Sequence, residues 1–205
     1  MIFQGIIFDL DGVICSTDEY HYQAWKELAD REGIPFDRSV NNRLRGVSRM
    51  ESLEILLERA KRFYSQEEKE KMAAAKNTRY QELLREMTPA DLSPEVFETL
   101  ETLRKQGLKL AIGSSSKNTP LILDRLGLGG YFDAVSDGNN ITRSKPAPEV
   151  FLKAAEYLGL SPETCLVVED AVSGVGAAHR AGMKAAAQVG GQAVLGRQLQ
   201  TATPW

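Results

Sequence analysis

The sequence predicts an α/β fold: a parallel sheet covered by helices on both faces, with an all-helical cap inserted after the first strand. Three observations carry this. The chain opens on a short continuous apolar run, Ile2 to Phe8, of the kind that forms a strand buried on both faces. After Thr88-Pro89, helix and strand signals alternate, the pattern of parallel strands joined by helical crossovers. Between these, from about Asp18 to Met87, the chain is rich in Glu, Lys and Arg, with apolar residues at helical spacing. The expected division is a core of residues 1–16 and 88–205 and a cap of residues 17–87.

Each element has its own signal. Glu19 to Arg31 reads as one helix, stopped by Gly33 and Pro35. Ser48-Arg49-Met50-Glu51 has the capping-box pattern, in which a hydroxyl and a carboxylate satisfy the first free amides of a helix. Met50, Leu53, Leu57, Ala60 and Tyr64 follow as a stripe. Ser65-Gln66-Glu67-Glu68 repeats the box and opens a long helix to about Glu86. Ser93-Pro94 starts a helix that ends near Gly107, and Leu108 to Ile112 is an apolar strand. Pro120–Leu126, Pro148–Leu158 and Ser173–Ala181 then read as helices, alternating with strands at Ala134-Val135, Cys165–Val168 and Ala185–Val189.

Bulk properties exclude several classes. The 205 residues suit one large domain or a core with a smaller insert, and 42% hydrophobic with 26% charged content is that of a globular protein. A net charge of −3 argues against nucleic acid as a partner, since phosphate backbones want a basic surface. No apolar run reaches the roughly 20 residues of a membrane span, and the N-terminus has no signal-peptide pattern. Cys15 and Cys165 lack CxxC spacing and read as thiols of a reducing compartment.

The chemistry gathers at the strand ends. In open parallel sheets, ligands bind beyond the carboxyl ends of the strands. The first strand runs into Phe8-Asp9-Leu10-Asp11-Gly12, where two carboxylates two residues apart project to one side. The strand at 108–112 runs into Gly113-Ser114-Ser115-Ser116, and that at 165–168 into Glu169-Asp170. Asp9, Asp11, Glu169 and Asp170 supply the oxygen ligands that Mg²⁺ prefers, with room for water and a substrate phosphate. Lys145 precedes Pro146, which restricts its backbone to extended geometry and would aim it inward.

The order Asp-x-Asp, Ser114, Lys145, Glu169-Asp170 resembles the haloacid dehalogenase (HAD) superfamily of phosphotransferases, across Ile2 to about Val189. The resemblance implies a HAD-like Rossmannoid core. It further implies that Asp9 attacks phosphorus to form an aspartyl phosphate, that Asp11 acts as general acid and base, and that Ser114 and Lys145 hold the phosphoryl group beside Mg²⁺. The cap sharpens it: Glu19-Tyr20-His21, Arg45-Gly46-Val47-Ser48-Arg49, Ser116-Lys117-Asn118 and Ser144-Lys145-Pro146-Ala147-Pro148 resemble the β-phosphoglucomutase family. That family interconverts β-D-glucose 1-phosphate and glucose 6-phosphate through β-glucose 1,6-bisphosphate. On this likeness Arg49, with Ser115, Ser116, Lys117 and Asn118, would hold the distal phosphate, Gly46 and Val47 would lie near the sugar, and His21 would couple sugar binding to Asp11.

Plainer readings stand beside these. Spacing alone makes His21 a packed residue on the face of Trp25 and Leu28, and Arg49 a solvated arginine. Lys76 either reaches the sugar or is one of many lysines on a long helix. His179 reads as structural, and Asp133 and Asp137 as loop residues. The sequence also departs from the family at Ser16, where aspartate is common, and at Arg45 and Met50, where lysine and glutamate are usual. After Val189 no further apolar run appears, so a sheet edge is expected to be uncovered. The competing functions are a phosphatase of small sugar phosphates and a non-catalytic binding protein. The expected setting is a cytoplasmic monomer acting on a small phosphosugar, with no nucleic-acid or membrane partner.

Overall fold

Gly5–Phe8 forms β1, the middle strand of a five-stranded parallel sheet ordered β3-β2-β1-β4-β5. The other strands are β2 (Lys109–Gly113), β3 (Ala134–Ser136), β4 (Cys165–Glu169) and β5 (Lys184–Ala187). This is a computed structural model, and it describes residues 3–44 and 47–187. The expected strand end at Val189 and the tail beyond it lie outside those residues, as do Arg45 and Gly46. The helices are α1 (Asp18–Arg31), α2 (Arg38–Asn42), α3 (Arg49–Leu57), α4 (Gln66–Leu84), α5 (Pro94–Lys105), α6 (Thr119–Arg125), α7 (Glu149–Leu158) and α8 (Val172–Arg180). None of the described helices is long and apolar enough to cross a membrane.

Two compact units emerge among the described residues: 3–16 with 87–187, and 17–86. In the first, strand alternation sorts the apolar residues to two faces. Ile7, Ala111 and Val167 join Val150, Phe151, Ala154 and Ala178 in one buried cluster, built on α7 and α8. Ile6, Phe8, Leu110, Ile112, Leu166 and Val168 point the other way and are equally buried. Both faces are therefore covered, which is why these strands read as continuous apolar runs rather than alternating ones.

Register does the work that matters for the site. Phe8 lies opposite Ile112 on one side and Val168 on the other. The next residue of each strand, Asp9, Gly113 and Glu169, therefore emerges at the same level, and Asp9 N–H donates to the Val168 carbonyl at 2.9 Å.

The second unit is all helical. α4 packs along α1 and against α3, around Trp25, Leu28, Ile34, Phe36, Leu53, Leu56 and Met72. Both capping boxes form: Ser48 with Glu51 at the start of α3, and Ser65 with Glu68 at the start of α4. The helical stripe is shorter than its spacing suggests. α3 ends at Leu57, where tighter bonds from Arg59 N–H to Leu56 O and Ala60 N–H to Leu57 O close the last turn. Ala60 and Tyr64 reach the same core from beyond the helix, and Leu56 is the fully buried partner of Leu53. The five-residue α2 is not visible in the periodicity; its start is set by Asp37, whose carboxylate accepts from Val40 N–H at 2.9 Å.

Candidate active site

Two strand ends and one loop meet around the Lys145 ammonium. Its Nζ donates to Asp9 Oδ1 at 2.6 Å and to Glu169 Oε2 at 2.7 Å. All three side chains are shielded from solvent, at 7% exposure for Lys145, 11% for Asp9 and 1% for Glu169, so the charges interact with little screening. Burial works against the lysine's charge, but Asp9 and Glu169 outweigh it and raise its pKa. Burial also pushes Glu169 up to about 7; Asp9 adds to this, and Lys145 pulls it back. The Glu169 carboxylate is further held by the backbone N–H groups of Asp170 (3.2 Å) and Ala171 (3.1 Å). The Lys145–Pro146 peptide bond is cis.

Asp9, Glu169 and the exposed Asp170 each offer a carboxylate oxygen, and these oxygens all lie within 4.8 Å of one another. An all-oxygen, anionic donor set of this size fits a hard divalent cation such as Mg²⁺, with space left for water or phosphate oxygens. Asp11 is not part of that group; its backbone bridges to Cys15, and Gly12 N–H donates to Cys15 O at 2.7 Å, closing the turn beyond β1. Cys15 is buried and free, and burial followed by the charges of Asp11 and Asp9 pushes its thiol well up, which disfavours the thiolate.

Two glycines shape this cluster, and the sequence reading does not single them out. Gly12 has φ +92°, and a Cβ there would collide with the Asp170 carboxylate. Gly174 in α8 is buried, and a Cβ there would collide with the Glu169 carboxylate. The signal for Gly174 is a glycine inside a helical pattern, which often marks close approach of another group. Gly174→Ala is expected to displace Glu169 and weaken Mg²⁺ binding about tenfold, with destabilisation of about 1–3 kcal/mol from overpacking. Calorimetric titration with Mg²⁺ and a urea melt check the two effects.

The end of β2 carries the serines. Ser114 is buried, its N–H donating to Ser136 O at 3.0 Å and its Oγ accepting from Ser116 N–H at 3.2 Å. Ser116 Oγ in turn accepts from Asn118 N–H at 3.1 Å, and its carbonyl accepts from the Thr119 hydroxyl at 2.9 Å. Ser115 Oγ accepts from Lys145 N–H at 3.4 Å, linking this strand end to the lysine loop. Lys117 is exposed at the mouth of this turn and Asn118 is buried within it. Asp133 and Asp137 have local structural duties: Asp133 accepts from Leu110 N–H, and Asp137 from Asn139 N–H, both at 2.8 Å. His179 is exposed on α8.

In the helical unit, Lys76 is buried and donates to His21 Nδ1 at 2.8 Å. This leaves the His21 proton on Nε2. The imidazole stacks on Tyr80 at 4.0 Å, and the ammonium sits over the Tyr80 and Trp25 rings. Burial, then the charges of Lys76 and Arg49, hold the His21 pKa well below its usual range. An unfolded chain binds a proton at His21 below about pH 6.5 that the folded chain refuses, so stability falls as pH drops through that point. His21→Gln is expected to flatten this part of the profile, read by denaturant unfolding between pH 7.5 and 5. Arg49 lies in the first turn of α3, half-buried; burial lowers its pKa and no carboxylate among the described residues offsets this. Val47 is 40% exposed, and Gly46 lies outside the described residues.

An α/β sheet with an acidic strand-end cluster bridged by one lysine defines a class. The haloacid dehalogenase-like hydrolase family model matches residues 3–182, and the chain belongs to that family. Within it, the likeness to β-phosphoglucomutases read from the sequence is borne out. The β-phosphoglucomutase of Bacillus subtilis (strain 168) is 43% identical over 198 residues, 96% of this chain and 88% of that protein. The crystal structure of β-phosphoglucomutase from Clostridium difficile matches with a TM-score of 0.83 at 40% identity, over 91% of this chain and 84% of that one. A phosphorylated carbohydrates phosphatase of Thermotoga maritima is 34% identical, over 88% of this chain and 82% of its own.

Proposed function

We propose that the chain is a Mg²⁺-dependent phosphosugar mutase that interconverts β-D-glucose 1-phosphate and glucose 6-phosphate through β-glucose 1,6-bisphosphate and an aspartyl phosphate on Asp9. The observation that carries this reading is Lys145 bridging Asp9 and Glu169 at the strand ends of a chain 43% identical to a β-phosphoglucomutase. Asp9, Glu169 and Asp170 would hold Mg²⁺, which would supply positive charge against the repulsion between carboxylate and phosphate oxygens.

The chain's own residues do the rest. Asp9 Oδ attacks phosphorus of the bisphosphate; the new P–O bond forms as the bond to the sugar oxygen breaks, and Asp11 delivers the proton that oxygen needs. In the second half-reaction Asp11 removes a proton from the other hydroxyl, which takes the phosphoryl group back from Asp9. Lys145 and Ser114 steady the transferring group as hydrogen-bond donors. Arg49 supplies a guanidinium for the second phosphate, with Ser115, Ser116, Lys117 and Asn118 as further donors and Val47 and Gly46 beside the sugar. His21, held by Lys76, links sugar binding to Asp11.

A sugar-phosphate phosphatase is the second reading, favoured by the 34% identical phosphatase of Thermotoga maritima. One assay separates them: β-glucose 1-phosphate, Mg²⁺ and a trace of β-glucose 1,6-bisphosphate, with glucose 6-phosphate and free phosphate followed together. Glucose 6-phosphate in large excess over phosphate is expected, and stoichiometric phosphate release sinks the mutase. Arg49→Ala is expected to lower mutase kcat/KM by about 10- to 100-fold, the scale of one lost charge-assisted contact. A phosphatase that ignores the second phosphate would lose little.

A further inference from the structure

The loop between β3 and α7 carries Lys145, and a second carboxylate, outside the acidic cluster, holds that loop. Glu149, in the first turn of α7, accepts Thr142 N–H on Oε1 and both the Thr142 hydroxyl and Arg143 N–H on Oε2, each at 2.9 Å. Its side chain is only 16% exposed, and Arg143 Nε (3.9 Å) and Lys153 Nζ (3.8 Å) stand on either side of it. The Thr142 amide leads the contacts that keep its carboxyl below the usual range. On the far side of the lysine, Arg180 Nη1 donates to Pro146 O at 3.0 Å.

We propose that Glu149 is a positioning residue: it clamps Thr142 and Arg143 so that Lys145, two residues further on, sits between Asp9 and Glu169. The inference rests on the role given to Lys145 above. A lysine side chain has four rotatable bonds and does not define its own end point, so the place of its ammonium depends on where the loop holds the backbone. Charge-assisted bonds to two successive amides fix that backbone more firmly than neutral ones would. A carboxylate at the start of α7 is also favoured by the helix dipole, so the clamp sits where its charge is stabilised. Displacements of about 1 Å in a catalytic group cost on the order of 100-fold in rate.

The full-length protein is compared with Glu149→Gln and Glu149→Asp. The rate of acetylation of each lysine by acetic anhydride is read by mass spectrometry. Exposed Lys109 is the internal reference for the reagent, and iodoacetamide labelling of the fully buried Cys165 thiol is the control for intact packing. Glu149→Gln is expected to raise labelling of Lys145 relative to Lys109 by about tenfold and to lower kcat by about 10- to 100-fold, with KM little changed. Glu149→Asp, which keeps the charge but is one methylene short, should fall between. Lys145 labelling at the wild-type rate in both variants overturns the inference, as does a raised rate with unchanged kcat. If Cys165 labelling rises in Glu149→Gln, that variant has opened, and Glu149→Asp decides by the same ratio of Lys145 to Lys109. Absence of turnover in the wild type sinks the mutase reading, and the labelling ratio alone then judges the clamp.

Discussion

Asp9→Asn should abolish turnover while leaving the metal-free protein at least as stable as the wild type. The loss follows from chemistry: an amide oxygen does not form the acyl phosphate, and removing a covalent nucleophile costs on the order of 10⁵-fold in kcat or more. The stability follows from the site. Asp9 and Glu169 share one lysine, with Asp170 close by, so the cluster carries excess negative charge. Asp9 is the main charge that helps burial push Glu169 up to about 7. Taking that charge away lets Glu169 and Lys145 stand as a simple pair. Measurement of kcat together with urea unfolding in a chelating buffer checks both halves; a variant that is inactive and also clearly less stable would refute the second. Function here is set against stability, as at other sites that hold like charges together.

Lys145→Met should act in the opposite sense on the fold and in the same sense on the chemistry. Methionine fills the space but leaves two shielded carboxylates facing each other without their cation. Breaking a buried pair in this way costs about 3–5 kcal/mol. The sign of the pH dependence follows from Glu169. Its folded pKa lies above the ordinary 4.5, so from pH 4.5 upward the unfolded chain releases a proton that the folded chain keeps, and stability falls as pH rises toward 7. Without Lys145 the folded pKa rises further and the falling limb extends beyond 7. The deficit of Lys145→Met should therefore be small near pH 5 and largest near pH 8. Urea melts across that range would show it. Added Mg²⁺ should recover part of the loss by mass action, since it binds the folded state alone.

Much of this site is legible in the residue pattern alone, because its parts sit at places where the sequence has to change character. An apolar run that ends in Asp9-Leu10-Asp11, or in Glu169-Asp170, marks a strand end by contrast alone, and register then brings Asp9 and Glu169 to one level. The capping boxes at Ser48 and Ser65 are legible because the motif is local. What the pattern hides depends on distant partners. Lys76 meets His21 across 55 residues, and no spacing rule links them. Gly12 and Gly174 matter for the atoms they lack, and the groups that fill that room, Asp170 and Glu169, are known only once the chain is folded. Glu149 has the look of an ordinary acidic residue opening a helix; its three bonds to the lysine loop come from the path of that loop. Ala60 and Tyr64 keep the expected spacing but leave the helix, because periodicity records which residues are buried and not where the hydrogen bonding stops.

The middle position of β1 in the sheet also bears on how the chain is made. The ribosome delivers β1 before both of its neighbours, β2 and β4, and β4 begins 157 residues after β1 ends (165 − 8). At translation speeds of about 5–20 residues per second, β1 waits on the order of ten to thirty seconds before β4 emerges. During that time Ile6, Ile7 and Phe8 have an open edge and no finished core to enter. The middle strand of the finished sheet is thus the one that waits longest during synthesis for its second neighbour.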